Sequence, residues 1–235
     1  MIIAIDGPAG SGKSTIAKLL AKRMGFSYLD TGAMYRAVAY RALEEDIDLS
    51  EPLSENSKAQ LFAIAENEEI GFGFVDKEAL PSKVFINQQD VTVQIRTPQV
   101  DHAVSPVSAE ASVRQALTEQ QRRIGSSTDI VMEGRDIGTV VFPDADLKIF
   151  LTASPEERAQ RRTIQNAASA GKSYDESEYE AILADIIRRD EYDATRQTAP
   201  LIAAADSIEV DTTDLSIDQA LSLIVQIAEE RSISR

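Results

Sequence analysis

Short apolar runs alternate along this chain with longer stretches in which apolar residues recur every three or four positions. The short runs predict β-strands over residues 2–6, 27–29, 129–132, 147–151 and 207–210. The longer stretches predict helices over residues 13–24, 33–44, 108–124, 155–170, 177–190 and 217–230. This alternation is typical of a parallel sheet covered by helices. We therefore predict an α/β fold with a parallel five-stranded sheet flanked by helices.

Residues 69–96 interrupt the alternation. Short runs at 71–75, 83–87 and 91–93 are separated by Pro81 and by the polar residues 87–90. Alternating runs with turn residues between them predict antiparallel strands. We expect a small subdomain at residues 57–100, inserted into a core made of residues 1–56 and 101–235.

The composition is that of an ordinary globular protein, since 43% of the 235 residues are hydrophobic. The sequence contains no cysteine, which excludes disulfide frameworks, thiolate metal sites and cysteine nucleophiles. The first apolar run stops at Asp6, so it is too short to cross a bilayer or to form a secretory signal. We expect a cytoplasmic protein.

The formal net charge is −15. Nucleic acids and anionic membranes favour a basic protein face, so we expect neither as a partner. Clusters of arginine are informative because they go against this acidic background.

A glycine-rich segment directly follows the first predicted strand. It fits the pattern G-x-x-x-x-G-K-[ST] at every fixed position and opens the first predicted helix. Its backbone N–H groups can surround phosphate oxygens, and the helix N-terminus adds partial positive charge. The alternative, an ordinary glycine-rich turn, does not need Lys and Ser in register. The predicted triphosphate-binding residues are Gly7, Pro8, Ala9, Gly10, Ser11, Gly12, Lys13, Ser14 and Thr15.

Three arginines stand at helical spacing after the fourth predicted strand. Arg158, Arg161 and Arg162 occupy positions i, i+3 and i+4, which predicts one shared helical face. Like charges at this spacing repel, so an anionic ligand would relieve the repulsion. Beside a triphosphate site, we favour a lid that closes over the phosphates. The alternative is a solvated face neutralised by Glu156 and Glu157.

A second charged set, Arg189, Asp193 and Arg196, aligns at i, i+4 and i+7 if the helix continues. A carboxylate between two arginines can accept hydrogen bonds from sugar hydroxyls while the arginines bind phosphate. The alternative is a ladder of ion pairs within the helix.

Two charged turns, at residues 133–139 and 30–36, follow predicted strands. Ligands of open α/β sheets bind at the carboxyl ends of strands, so both turns are placed for a site. Arg36 lies about one turn into the next predicted helix. Arg114 interrupts an apolar helical face and is placed to reach inward.

The chain resembles the bacterial cytidylate kinases over nearly its whole length. The specific motifs are Asp-Thr-Gly-Ala-Met-Tyr-Arg at 30–36 and Gly-Arg-Asp-Ile-Gly-Thr at 134–139, supported by the segments 148–151, 156–159 and 188–190. The resemblance implies a P-loop kinase fold with an inserted NMP-binding subdomain at 57–100 and a helical lid at about 154–173. It also implies a monomer that transfers the ATP γ-phosphate to CMP or dCMP with Mg²⁺, giving ADP and CDP or dCDP.

The resemblance further implies roles for single residues. Those that read the cytosine edge are Ser105, Arg114 and Asp136. Those that hold the ribose are Arg189 and Asp193. Those around the acceptor phosphate are Thr31, Arg36, Arg135 and Arg196. The catalytic cations are Lys13, Arg158, Arg162 and Arg196; Arg161 binds ATP and Ser14 ligates the metal.

One position departs from the resemblance. Glu133 stands where the family commonly has Asp, so a role for it in orienting Lys13 or Mg²⁺ does not carry over, and it is not counted among the site residues.

The expected chemistry is a direct in-line transfer without a phosphoenzyme. The acceptor phosphate is already ionised at neutral pH, so it needs no strong general base. A carboxylate beside an arginine complements the N4 donor and the N3 and O2 acceptors of cytosine. Uracil presents a carbonyl to that carboxylate, which predicts discrimination of about 1–3 kcal/mol or more against UMP.

Two other readings stay open. The first is a P-loop kinase for another nucleotide or for a small hydroxyl acceptor, although a hydroxyl would call for a base. The second is a non-catalytic nucleotide switch, although the Asn-Lys-x-Asp motif by which G-protein switches read the base does not occur in the sequence.

Overall fold

The computed structural model describes residues 1–73, 82–196 and 198–233. Five parallel strands form the main sheet in the order β2-β6-β1-β7-β8. This confirms the predicted α/β class and the five-stranded parallel sheet. The strands are β1 (Ile2–Asp6), β2 (Ser27–Asp30), β6 (Ile130–Gly134), β7 (Leu147–Thr152) and β8 (Ile208–Asp211). A small antiparallel sheet holds β3 (Ile70–Gly73), β4 (Lys83–Ile86) and β5 (Gln89–Asp90).

Helices cover both faces of the main sheet. None within the described ranges is long and apolar enough to cross a membrane. They are α1 (Lys13–Met24), α2 (Thr31–Glu44), α3 (Glu55–Asn67), α4 (Pro98–Ala109), α5 (Ala111–Gly125), α6 (Pro155–Ala170), α7 (Glu176–Thr195) and α8 (Ile217–Ile233). A 3₁₀ turn (Gln94–Arg96) and a short π-helix (Ile137–Val141) complete the described elements.

Two apolar layers hold the main sheet in place. One layer packs Met132 and Leu29 against α2, α4 and α5, and includes the fully buried Met34 and Leu117. The other packs β1 and β7 against α1 and α8, which bury apolar side chains such as Leu20. Strands covered on both faces read as continuous apolar runs, which is why the sequence pattern located them.

The region between β3 and α5 differs from the prediction. Residues 91–93 are not a strand, because the hairpin partner of β4 is the two-residue β5, inside the segment expected to be a turn. Part of the predicted run 71–75 and Pro81 lie outside the described residues. The predicted helix 108–124 is two helices, since Glu110 is extended (ψ 121°) and its side chain caps Ser112.

Two helices were not predicted, although both carry a start signal. Ser54 accepts the backbone N–H of Ser57 at the start of α3 (3.0 Å), and Thr97 precedes Pro98 at the start of α4. The proposed subdomain boundaries at residues 57 and 100 fall inside these helices, and the division into core and subdomain stays a prediction.

Candidate active site

The glycine-rich loop joins β1 to α1 in a backbone conformation that requires glycine. Gly7, Gly10 and Gly12 have φ values of 147°, 78° and 89°. A Cβ on Gly7 would lie 2.0 Å from the carbonyl oxygen of Leu151, so the loop packs directly on the end of β7. Among the described residues, no side chain caps the first turn of α1. Its N–H groups are therefore free of a capping side chain and suited to an anion.

Lys13 lies beneath this loop. Its Nζ donates to the carbonyl oxygen of Pro8 (2.6 Å), and the side chain is almost fully buried. Burial, followed by the positive charge of Arg135, lowers the pKa of Lys13 below its usual range. A polyanion in the loop acts in the opposite sense and would favour the charged ammonium. The geometry places a cation where a triphosphate would need one.

Ser14 follows on the first turn of α1 and donates to Glu133 Oε2 (2.8 Å). The other oxygen of Glu133 accepts from the Tyr28 hydroxyl. Burial raises the pKa of Glu133, and the nearby Asp30 raises it further. Glu133 and Gly134 are the last two residues of β6. The prediction of a turn that begins at Glu133 is therefore wrong at these two positions.

The carboxyl ends of β1, β2 and β6 open into one cavity of about 590 Å³. That volume is in the range of small-molecule sites. Its wall brings together most of the predicted site residues from six separate parts of the chain. The predicted residues on the wall are Ala9, Gly10, Lys13, Ser14, Thr31, Arg36, Ser105, Arg114, Arg135, Asp136, Arg162, Arg189, Asp193 and Arg196.

Arg114 and Asp136 form a buried pair on this wall. Arg114 Nη2 donates to Asp136 Oδ2, and Nη1 donates to the carbonyl oxygen of Ser108 (2.8 Å). The guanidinium carbon lies 5.3 Å from the ring centre of Tyr35, a cation–π contact. Both side chains of the pair are about 6% exposed, so little water competes with a ligand here. Ser105, on α4, shares the wall.

Asp193 joins two of the predicted acceptor arginines. Its carboxylate accepts from Arg135 Nε (3.0 Å) and lies 3.5 Å from Arg196 Nη1. Helix α7 continues to Thr195, which places Asp193 on its last turn. Arg196 is the first residue after the helix and has an extended backbone conformation. Arg196 Nη2 is buried without a partner among the described residues, which makes it available to a ligand.

The three arginines of α6 do not share one environment. Only Arg162 of the three lies on the cavity wall. Arg158 is buried, forms a two-bond pair with Asp190 of α7 (3.1 and 2.5 Å) and donates to the carbonyl oxygen of Ala9 (3.0 Å). Arg161 pairs with Glu157 (2.8 Å) and donates to the carbonyl oxygen of Thr212 (2.6 Å). The spacing of the three arginines predicted one shared helical face, but their long side chains reach different partners.

Asp6 is a structural carboxylate that sequence reasoning did not single out. It accepts the backbone N–H groups of Ile137 and Gly138 (2.8 and 2.7 Å) and so fixes the start of the π-helix after β6. Burial raises its pKa to about 6, although these two bonds act in the lowering direction. The sequence feature that could have identified Asp6 is its position at the end of β1, directly before the glycine-rich loop.

This shift predicts a pH dependence of stability. The folded state holds the Asp6 proton to a higher pH than the unfolded chain, in which the carboxyl ionises near 3.8. Its stabilising contribution is therefore complete below that pH and is lost as the pH rises through about 6. We expect the unfolding free energy of the wild type, relative to Asp6→Asn, to fall by about 2–3 kcal/mol between about pH 4 and pH 7. Urea unfolding of both proteins measures this, and a flat or rising difference would contradict it.

Comparisons with known proteins agree with these motifs. The cytidylate kinase family model matches residues 3–230. The chain is 48% identical to the cytidylate kinase of Carboxydothermus hydrogenoformans over 97% of this chain and 96% of that protein. It is 44% identical to that of Bacillus subtilis, over 98% and 97% of the two chains, and 43% identical to that of Clostridioides difficile, over 96% of each. The chain therefore belongs to the cytidylate kinase family.

Proposed function

We propose that this protein transfers the γ-phosphate of ATP to CMP or dCMP, releasing ADP and CDP or dCDP. The observation that carries the proposal is one cavity that joins a phosphate loop to a buried Arg–Asp pair. The loop suits the donor, and the pair suits the cytosine edge of the acceptor.

The donor side consists of the loop and Lys13. The loop's N–H groups bind phosphate oxygens, and the ammonium stabilises the charge that spreads over the γ-phosphoryl group during transfer. Lys13 is already held by Pro8, so little reorganisation is needed when the triphosphate arrives.

A magnesium ion fits the oxygen donors beside the loop. Mg²⁺ in such sites takes one or two protein oxygens and otherwise phosphate and water oxygens. Ser14 Oγ would ligate it, and Glu133 holds that hydroxyl in place at 2.8 Å. When bound, such an ion would neutralise part of the negative charge of the phosphates. The other oxygen of Glu133 accepts from the Tyr28 hydroxyl, so both of its oxygens have a partner.

The acceptor base lies, in this proposal, against Arg114 and Asp136. The carboxylate accepts from the cytosine N4 amino group, and the guanidinium donates to N3 or O2. Because the two side chains are bonded to each other and buried, they present this donor and acceptor side by side. Uracil would place its O4 carbonyl against the carboxylate, leaving buried polar groups unpaired.

The acceptor phosphate lies between the loop and the arginines of the far wall. Arg36, Arg135 and Arg196 line this part of the cavity. They neutralise an acceptor that is already ionised, so positioning and charge neutralisation carry the reaction without a general base. Asp193, which holds two of these arginines, is also placed to accept from a ribose hydroxyl.

Helix α6 supplies the remaining cations of the proposal. Arg162 faces the cavity and is placed to reach transferring phosphate when the lid closes. Arg158 acts from below the loop, since its bond to Ala9 fixes the loop backbone. Arg161 stands beside Thr212, close to the loop residue Ser11, on the side left for the nucleoside of ATP.

An acceptor panel tests the proposed function. We expect ADP release with CMP and dCMP to exceed that with UMP, AMP or GMP by about tenfold or more, because only cytosine satisfies the buried pair. A coupled ADP assay with each nucleotide at the same concentration measures this. ADP release that is equal for all five, or absent with every one of them, would contradict the assignment.

A further inference from the structure

The cavity contains an acidic side chain that no substrate role explains. Asp101, in the first turn of α4, lies on the cavity wall with its side chain about 20% exposed. Its Oδ1 lies 2.5 Å from Arg36 Nη2, while Arg36 Nη1 donates to the carbonyl oxygen of Ile95 (3.2 Å). The guanidinium of Arg36, proposed above to bind the acceptor phosphate, is therefore already paired with a carboxylate.

Charge on the cavity wall is balanced as a whole. The cationic side chains and the carboxylates are equal in number, so part of the positive charge that a phosphate could meet is already compensated. The cations are Lys13, Arg36, Arg114, Arg135, Arg162, Arg189 and Arg196. The carboxylates are Asp30, Asp101, Glu133, Asp136, Glu178, Asp185 and Asp193.

Most of these carboxylates already have another hydrogen-bond partner or another proposed role. Asp30 caps α2 through the N–H of Ala33, and Glu178 accepts from Asn166. Asp185 pairs with two arginines of its own helix. Glu133 holds Ser14 and Tyr28, while Asp136 and Asp193 face the acceptor nucleoside in the proposed complex. Among the described carboxylates of the wall, this leaves Asp101.

We propose that the Asp101 carboxylate occupies, in the free protein, the place on Arg36 that the acceptor phosphate takes, and that it is displaced when CMP binds. This inference rests on the proposed function. The Asp101 side chain is about 20% exposed, so the displaced carboxylate can turn to solvent. Asp101 thereby limits the affinity of the site for any phosphate and makes acceptor binding weaker than the arginines alone would give.

The test is Asp101→Asn, which keeps the shape of the side chain and removes its charge. We expect the KM for CMP to fall about three- to tenfold, the range expected for losing one partly buried ion pair, with kcat and the KM for ATP unchanged. Inhibition by cytidine, which carries no phosphate, should be unchanged. Glu55→Gln, which removes a charge from the exposed side of α3 outside the cavity, should alter none of these constants.

Binding of inorganic phosphate, followed by calorimetry, provides a readout that does not depend on turnover. Asp101→Asn should bind phosphate about three- to tenfold more tightly than the wild type. A KM for CMP that is unchanged or raised, or phosphate binding that is unchanged or weaker, would overturn the inference, since Asp101 would then orient Arg36 instead of competing for it. Failure of the wild type to phosphorylate CMP would count against the proposed function alone, because the phosphate measurement would still decide the role of Asp101.

Discussion

Replacing Lys13 with methionine is expected to lower kcat by about 10²- to 10³-fold. Methionine keeps the apolar stem and removes the cation that faces the transferring phosphoryl group. Because burial already disfavours the Lys13 ammonium in the free protein, its loss should change the unfolding free energy by less than about 1 kcal/mol. Steady-state ADP release at saturating ATP and CMP, together with thermal unfolding, separates the two effects.

Lys22→Met is the matched control for this experiment. Lys22 lies on the same helix but is exposed in its last turn. It should retain wild-type kcat and stability. If Lys13→Met kept more than about a tenth of wild-type kcat, the loop would bind nucleotide without Lys13 taking part in transfer.

Asp136→Asn is expected to reduce the preference for CMP over UMP by about 10- to 100-fold in kcat/KM. The carboxylate only accepts hydrogen bonds, whereas the asparagine amide can also donate to uracil O4. Activity with CMP should fall as well, since one acceptor on the cytosine edge is lost and Arg114 is left with a neutral partner. Coupled assays with both nucleotides give the ratio directly.

Asp144→Asn is the control variant. Asp144 is exposed and lies in the same connection between β6 and β7 as Asp136. It should leave the CMP to UMP ratio as it is. A ratio in Asp136→Asn that matches the wild type would remove Asp136 from the base-reading contact, and the cytosine edge would have to be read elsewhere on the wall.

The glycine-rich loop between β1 and α1 was predictable because its signals are local. The glycine spacing, Lys13 and the preceding strand all lie within a few residues of one another, and each has a direct physical reason. The burial of Arg114 was also predicted from sequence, because a charged residue on the apolar face of a helix is directed toward the protein interior. The identity of the base was implied only by family resemblance.

The pairings within the site could not be predicted in the same way. Arg158 meets Asp190 and Asp101 meets Arg36 only because separate helices pack at the end of the sheet. The break at Glu110 likewise depends on the packing of α4 and α5, since nothing as strong as glycine or proline marks it. Spacing along one helix identifies a face, but not the partner that each long side chain reaches.

The strand order has a consequence for how the chain is made. β1 precedes the other strands of the main sheet along the chain and is hydrogen-bonded on one side to β6 and on the other to β7, and β2 pairs with β6. Neither of the first two strands therefore has a sheet partner until the ribosome has passed residue Gly134. Throughout that interval an apolar strand remains open to other chains or to chaperones. An early strand of this sheet thus waits for partners that are made more than a hundred residues later.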